Sequence, residues 1–243
     1  MEVKRKEIRK ILGKKVAELN DIVADIDHLL TDMETDFYRV AVFGSARIKE
    51  SSDSFLQVKN LAQELAQRGV DVVTGGGPGL MEAANKGARD FSKGSRSIGL
   101  PIELPFEADA NSHLDVSSHH KRFSSRLDEF MRLSHAIIIT PGGIGTVLEL
   151  YFTWQLLQVE HIKPRPVILL GPEGFWSSLM DWMTEWPLKH ELMSAKDMNS
   201  MQLVTSVDQV LEILDPEIES FVANSPRMQK KRKENGISTP YQS

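Results

Sequence analysis

No cysteine occurs in the 243 residues of this chain. That excludes a disulfide framework, a thiolate nucleophile and most structural zinc designs. No apolar run reaches the length of a membrane span, the longest being strand-sized. The opening residues, Met1-Glu-Val-Lys-Arg-Lys-Glu7, lack the apolar core of a secretory signal. Together these absences lead us to expect a cytoplasmic protein. Positive charge is also not in excess: 29 Lys and Arg stand against 34 Asp and Glu, a net of -5, which argues against wholesale nucleic-acid binding. No Gly-x-Gly-x-x-Gly follows the first expected strand with an acid at the end of the next, so a nicotinamide-dependent dehydrogenase is disfavoured. His119 and His120 are adjacent rather than at ligand spacing, and no metal site is expected.

What remains is an ordinary globular composition, 41% hydrophobic and 26% charged, long enough for one generous domain with appendages. Leu12, Val16, Leu19, Val23, Ile26, Leu30 and Met33 are spaced alternately four and three apart, the seam of a helix that packs along a partner within its own chain or in another. Residues 1–36 are therefore read as an N-terminal helical extension. From Tyr38 onward, short β-branched runs alternate with helical spacing. Strands are expected from Arg39 to the glycine and serine at 44–45 and at 70–74, 97–104, 136–140, 166–170 and 202–204, with a short one near Leu114. Helices are expected at 55–68, 80–91, 121–133, 144–159, 175–186 and 207–214. Such alternation predicts an α/β fold, a parallel sheet covered by helices on both faces, over residues 37–215. Residues 216–243, with Lys230-Lys-Arg-Lys233 and little that is apolar, read as a solvated, flexible tail.

Three of the expected strands end in glycine corners: Gly44-Ser45, Gly75-Gly-Gly-Pro-Gly79 and Pro141-Gly-Gly-Ile-Gly-Thr146. Glycine lets the backbone approach an anion closely, and the free N–H groups and dipole of the helix that follows favour negative charge. The third corner is a phosphate cradle with Thr146 as a further donor. Glu149, about one turn on, opposes a phosphate unless the ligand directs another part of itself there, and a sugar fits that role. The helix dipole alone also favours an acid early in a helix.

These segments together resemble the LOG (Lonely Guy) family, whose hallmark is Pro-Gly-Gly-x-Gly-Thr-x-x-Glu. Gly44-Ser-Ala-Arg47, Gly75-Gly-Gly-Pro-Gly-Leu-Met-Glu-Ala-Ala84 and Pro141 to Glu149 carry the likeness, with Thr153-Trp-Gln, Lys163-Pro-Arg-Pro-Val-Ile-Leu-Leu-Gly171 and Gly174-Phe-Trp176 further on. It spans about residues 38–190. Gly99-Leu-Pro-Ile-Glu-Leu-Pro-Phe-Glu107 and Asn111 are more like the longer bacterial branch. The resemblance implies a Rossmann-like domain and hydrolysis of the N-glycosidic bond of nucleoside 5′-monophosphates, AMP or cytokinin riboside monophosphate, without cofactor or metal. It also implies a homodimer or higher oligomer with sites near the subunit interface. The family's catalytic arginine and glutamate fall on Arg126 and Glu149. Gly142, Gly143, Gly145 and Thr146 then hold the 5′-phosphate. Gly76 and Gly77 hold it instead or shape the base pocket with Met81, and Ser45 and Glu103 are further substrate-binding candidates. The family's lysine after the arginine is Leu127 here, and the short form's histidine is Ser124, so base preference stays open.

Two rivals compete with this reading. Ser118-His-His-Lys121 matches the Ser-x-His-Lys pattern of some pyridoxal-phosphate enzymes, but nothing else in the chain provides a partner for the pyridinium nitrogen. The stronger rival is a non-catalytic nucleotide or cofactor carrier on the same fold, as in the molybdenum-cofactor carriers. Arg126 and Glu149 discriminate, because binding alone does not need them as a pair.

Overall fold

The structure is a computed structural model that describes residues 9–17, 19, 23, 36–102 and 110–237. The chain divides into two units, residues 1–36 and 37–243. In the first, residues 9–17 are helical. The rest of the expected seam, Ile26, Leu30 and Met33, lies outside the described residues, as does Glu103.

The second unit is a seven-stranded parallel sheet. Its strands are β1 (Arg39–Phe43), β2 (Asp71–Thr74), β3 (Ser97–Gly99), β4 (Val116–Ser117), β5 (Ala136–Ile139), β6 (Val167–Leu170) and β7 (Met201–Val204), in the spatial order β4-β3-β2-β1-β5-β6-β7. Every pairing is parallel. The order reverses direction between β1 and β5, so the crevice beyond their carboxyl ends is where such a sheet binds ligands.

The helices are α1 (Asp53–Gln67), α2 (Leu80–Asp90), α3 (Phe123–Leu133), α4 (Ile144–Gln158), α5 (Ser177–Met183), α6 (Ala195–Met198), α7 (Val207–Asn224) and α8 (Pro226–Glu234). Because strand side chains alternate, the sheet feeds two cores. Val40, Val42, Val72 and Ile138 pack against α1, α2 and α7, while Ala41, Phe43, Val73, Ile137 and Ile139 pack against α3 and α4. Burial on both faces explains why β5 reads Ala-Ile-Ile-Ile with no polar position. Trp154 and Trp176 belong to the second core. Their indole N–H groups donate to Asp197 O and Leu170 O, so these aromatics brace the scaffold.

Two expectations need correction. The third strand, expected to reach Leu104, ends at Gly99, just ahead of Pro101, where the ladder loses a donor. The solvated tail is also overturned over its described part. Helix α7 continues through Pro216 to Asn224, and α8 follows. Pro216 and the basic run Lys230 to Lys233 look like an ending, but Asp215 pairs with Arg68 at 2.7 Å, Met228 is fully buried and Arg232 meets Glu219 at 2.8 Å. These partners are distant in sequence, so the basic run carries no trace of them.

Candidate active site

The three glycine corners meet at the carboxyl edge of the sheet. Ser45 joins them: its N–H donates to Pro141 O at 3.0 Å, and its carbonyl accepts from Leu80 N at 2.9 Å. The Ser45 hydroxyl accepts from the Arg47 amide. The close approach requires glycine at position 44, where a Cβ would stand 2.2 Å from Thr140 Oγ1 and 2.8 Å from Leu80 Cβ. Thr140 itself donates through its hydroxyl to Phe43 O, across the β1–β5 seam.

The corner after β5 is open. Gly143 is the N-cap of α4 and supplies no side-chain cap, so the amides of the first turn are left for solvent or a ligand. Gly143, Ile144 and Gly145 are exposed, and a Cβ added at Gly143 or Gly145 would meet nothing within 4 Å. Gly142 is different: a Cβ there would fall 2.1 Å from Thr146 Oγ1. The buried Thr146 side chain thus sits against the glycine backbone that begins the turn.

The corner after β2 is closed. Gly75, Gly76 and Gly77 are buried, Gly76 donates to Thr74 Oγ1, and the Gly76 and Gly77 carbonyls both accept from the Asn111 side chain. Gly76 has φ +74, a left-handed conformation that favours glycine. Met81, in the first turn of α2, lays its thioether against Gly75 and Gly77.

Arg126 and Glu149 come from α3 and α4, which pack on the same face of the sheet. Arg126 Nη1 lies 3.5 Å from Glu149 Oε1, and the two side chains are only 11% and 12% exposed. The guanidinium is held on three further sides. Its Nε donates to Leu100 O at 2.7 Å, its plane lies over the Phe130 ring at 5.3 Å, and Nη2 abuts Gly75. A planar fork with fixed donors suits this seat; a lysine ammonium could not meet Leu100 O and Glu149 in the same geometry.

Of the residues singled out from sequence, the structure brings together Arg126, Glu149, Gly75 and Met81 around one guanidinium. Gly142 and Thr146 meet in the open turn, and Ser45 links the corners. Gly76 and Gly77 turn their carbonyls inward onto Asn111. Leu127 is buried and Ser124 exposed. The pattern of single residues does not announce Asn111, Leu100 O or Phe130, since each acts through a contact made only in three dimensions.

A family model described as "possible lysine decarboxylase" matches residues 81–214. The chain is 33% identical over 142 residues to a pyrimidine/purine nucleotide 5′-monophosphate nucleosidase of Escherichia coli (strain K12), covering 55% of this chain and 31% of that protein. It thus spans about a third of that relative's length. It is also 33% identical over 163 residues to a cytokinin riboside 5′-monophosphate phosphoribohydrolase of Arabidopsis thaliana, covering 63% of this chain and 71% of that one. Among solved structures, the molybdenum cofactor binding protein from Rippkaea orientalis shares the fold, with a TM-score of 0.55, 20% identity, and coverage of 75% of this chain and 98% of that one. The family model over more than half of the chain, together with the Arabidopsis thaliana relative covered over 71% of its length, places the chain in the LOG family.

Proposed function

We propose that this protein hydrolyses the N-glycosidic bond of nucleoside 5′-monophosphates, taking up water and releasing the free base and ribose 5-phosphate. The observation that carries the reading is the Arg126–Glu149 pair, largely enclosed at 3.5 Å, on the helix whose uncapped first turn opens the crevice. A carrier needs the open turn; it does not need an enclosed carboxylate further along the same helix.

In this mechanism the 5′-phosphate sits against the exposed first turn of α4, where backbone amides and the helix dipole offset its charge. Glu149 lies about 9 Å further along the helix axis, and the tilt of helical side chains towards the N-terminus carries its carboxylate back in the direction of the phosphate. The ribose of a bound monophosphate spans that interval. As the glycosidic bond breaks, positive charge develops on the ribose. Glu149 stabilises it and accepts a proton from the water whose oxygen bonds to the ribose carbon. The departing base nitrogen takes up a proton, which restores the carboxylate once the proton is passed on. Arg126 orients the carboxylate, and it offers donors to the ribose hydroxyls or phosphate.

The decarboxylase wording of the family model does not fit the residues present. A Schiff-base lysine works when desolvated or beside another cation, and Lys121, with Ser118 and His119, is exposed.

The partner we assign is a second copy of this chain. Helix α4 leaves Ile144 92% and Leu148 46% exposed beside the open turn, and apolar surface at the mouth of a crevice marks an interaction site. No helix among the described residues is long and apolar enough to cross a membrane, and the absence of cysteine supports a reducing compartment such as the cytoplasm. The test is incubation of the purified protein with a panel of nucleoside monophosphates. Free base and ribose 5-phosphate should appear in equal amounts; bound but uncleaved nucleotide would leave a carrier instead.

A further inference from the structure

We propose that Asn111 is a positioning residue, one that holds the Gly75–Gly77 turn as the seat of the Arg126 guanidinium. The proposal rests on the nucleosidase reading for its kinetic consequences, but its structural claim stands apart from it.

Asn111 lies in the loop before β4, far in sequence from the turn it grips. Its Nδ2 lies 3.0 Å from each of Gly76 O, Gly77 O and Asn85 Oδ1, and its backbone N–H donates to Gly76 O at 2.8 Å. Behind it stands a buried polar network. Asn85, fully buried on α2, accepts from Thr74 Oγ1 at 2.6 Å and donates to Ser97 Oγ at 2.9 Å. Thr74 Oγ1 also accepts from the Gly76 amide at 2.9 Å. The end of β2, the start of β3, α2 and the loop before β4 therefore converge on one glycine turn. A network with every member satisfied is rigid, whereas one with a missing donor is costly in a low-dielectric interior.

The turn is also a surface of the reaction site. A Cβ on Gly75 would fall 2.1 Å from Arg126 Nη2 and 2.7 Å from Met81 Sδ, so the guanidinium and the thioether rest directly on its backbone. Arg126 is clasped between this backbone, the Leu100 carbonyl and Glu149. If Gly76 and Gly77 rotate their carbonyls, Gly75 moves with them, and the guanidinium loses one wall of its seat. Asn111 touches neither Arg126 nor Glu149 among its hydrogen bonds; it acts through the turn.

Asn111→Asp tests this with almost no change of shape, because it replaces the Nδ2 donor by an oxygen facing three acceptor oxygens. In the parent protein kcat for AMP should fall about tenfold or more with KM little changed, the signature of a displaced reacting group rather than lost binding. In an Arg126→Ala background the same substitution should change kcat by less than about twofold, since residues acting as a unit are not additive. The Arg126 Nε–H resonance, assigned by its loss in Arg126→Lys, should shift in Asn111→Asp while that of Arg165 stays in place. Asn111→Ser, which keeps a donor in a shorter side chain, should recover part of the activity. An unmoved Arg126 resonance, or an equal kcat loss with and without Arg126, would overturn the proposal. If the parent protein cleaves no monophosphate, the nucleosidase reading fails, and the resonance alone decides the positioning role.

Discussion

Arg126 and Glu149 face each other across two helices, Nη1 to Oε1 at 3.5 Å, with about nine-tenths of each side chain hidden from solvent. A guanidinium at that distance fixes the orientation of the carboxylate through a charge-assisted contact. Glu149→Gln removes the charge and the proton acceptor while leaving the shape. Base release should fall by about 10²–10⁴-fold, with nucleotide binding still measurable by calorimetry. Unchanged turnover would remove Glu149 from the chemistry.

The open turn separates two kinds of glycine. At Gly142 a Cβ would lie 2.1 Å from Thr146 Oγ1, so Gly142→Ala should overpack the turn and destabilise the protein by about 1–3 kcal/mol. At Gly143 a Cβ would meet nothing. Gly143→Ala should leave the melting temperature near its original value and raise KM, since the added methyl occupies the anion's approach. Denaturation curves beside kinetics on both variants check this; equal melting losses would contradict it.

His135 is half-buried at the opposite edge of the sheet, stacked on Tyr38, with its Nδ1 accepting the Arg39 amide at 3.1 Å. Burial first, then the positive charges of Arg39 and Arg165, pulls its pKa down from 6.5 to about 4. The folded protein therefore resists protonation that the unfolded chain accepts. Its contribution to stability is full above pH 6.5 and declines as pH falls towards 4, by an amount on the order of 3 kcal/mol. His135→Asn, which keeps an acceptor but cannot titrate, should flatten urea-denaturation stability between pH 7 and pH 4.5. An unchanged slope would mean that other groups govern it.

The C-terminal helix is structural. Deleting residues 226–243 removes the buried Met228, the Arg232–Glu219 pair and the Lys231 contact with the fully buried Asp71 at 3.5 Å. A stability loss of about 2–4 kcal/mol is expected. Asp71 opens β2, at the edge away from the crevice, so kcat measured well below the melting point should be unchanged. A solvated tail would be lost without effect on either quantity.

Much of the molecule is legible from the linear chain because its requirements are local. A parallel strand buried on both faces needs an apolar run such as Ala136 to Ile139, and a backbone pressed against a neighbouring side chain needs Gly44 or Gly142 at that place in the chain. The placement of Glu149 relative to the open turn is legible for the same reason, since both lie on one helix. Arg126 is visible only through family spacing, and Leu127 and Ser124 depart from that spacing without moving it.

Other features depend on groups far apart in the chain, and no run of residues records them. Gly75–Gly79 and Gly142–Gly145 look alike as sequences. One is closed because Asn111 folds back onto it, and the other is open because nothing packs within 4 Å of a Cβ built on Gly143 or Gly145. Pro216 and the basic run at 230–233 read as an ending until Arg68, Glu219 and Asp71 are brought alongside them. Residue identity specifies what each backbone position must do locally. Which polar groups find partners, and so which turn stays available to a ligand, is set when the sheet order carries distant segments into contact, because a hydrogen bond or ion pair contributes only where its donor and acceptor arrive together.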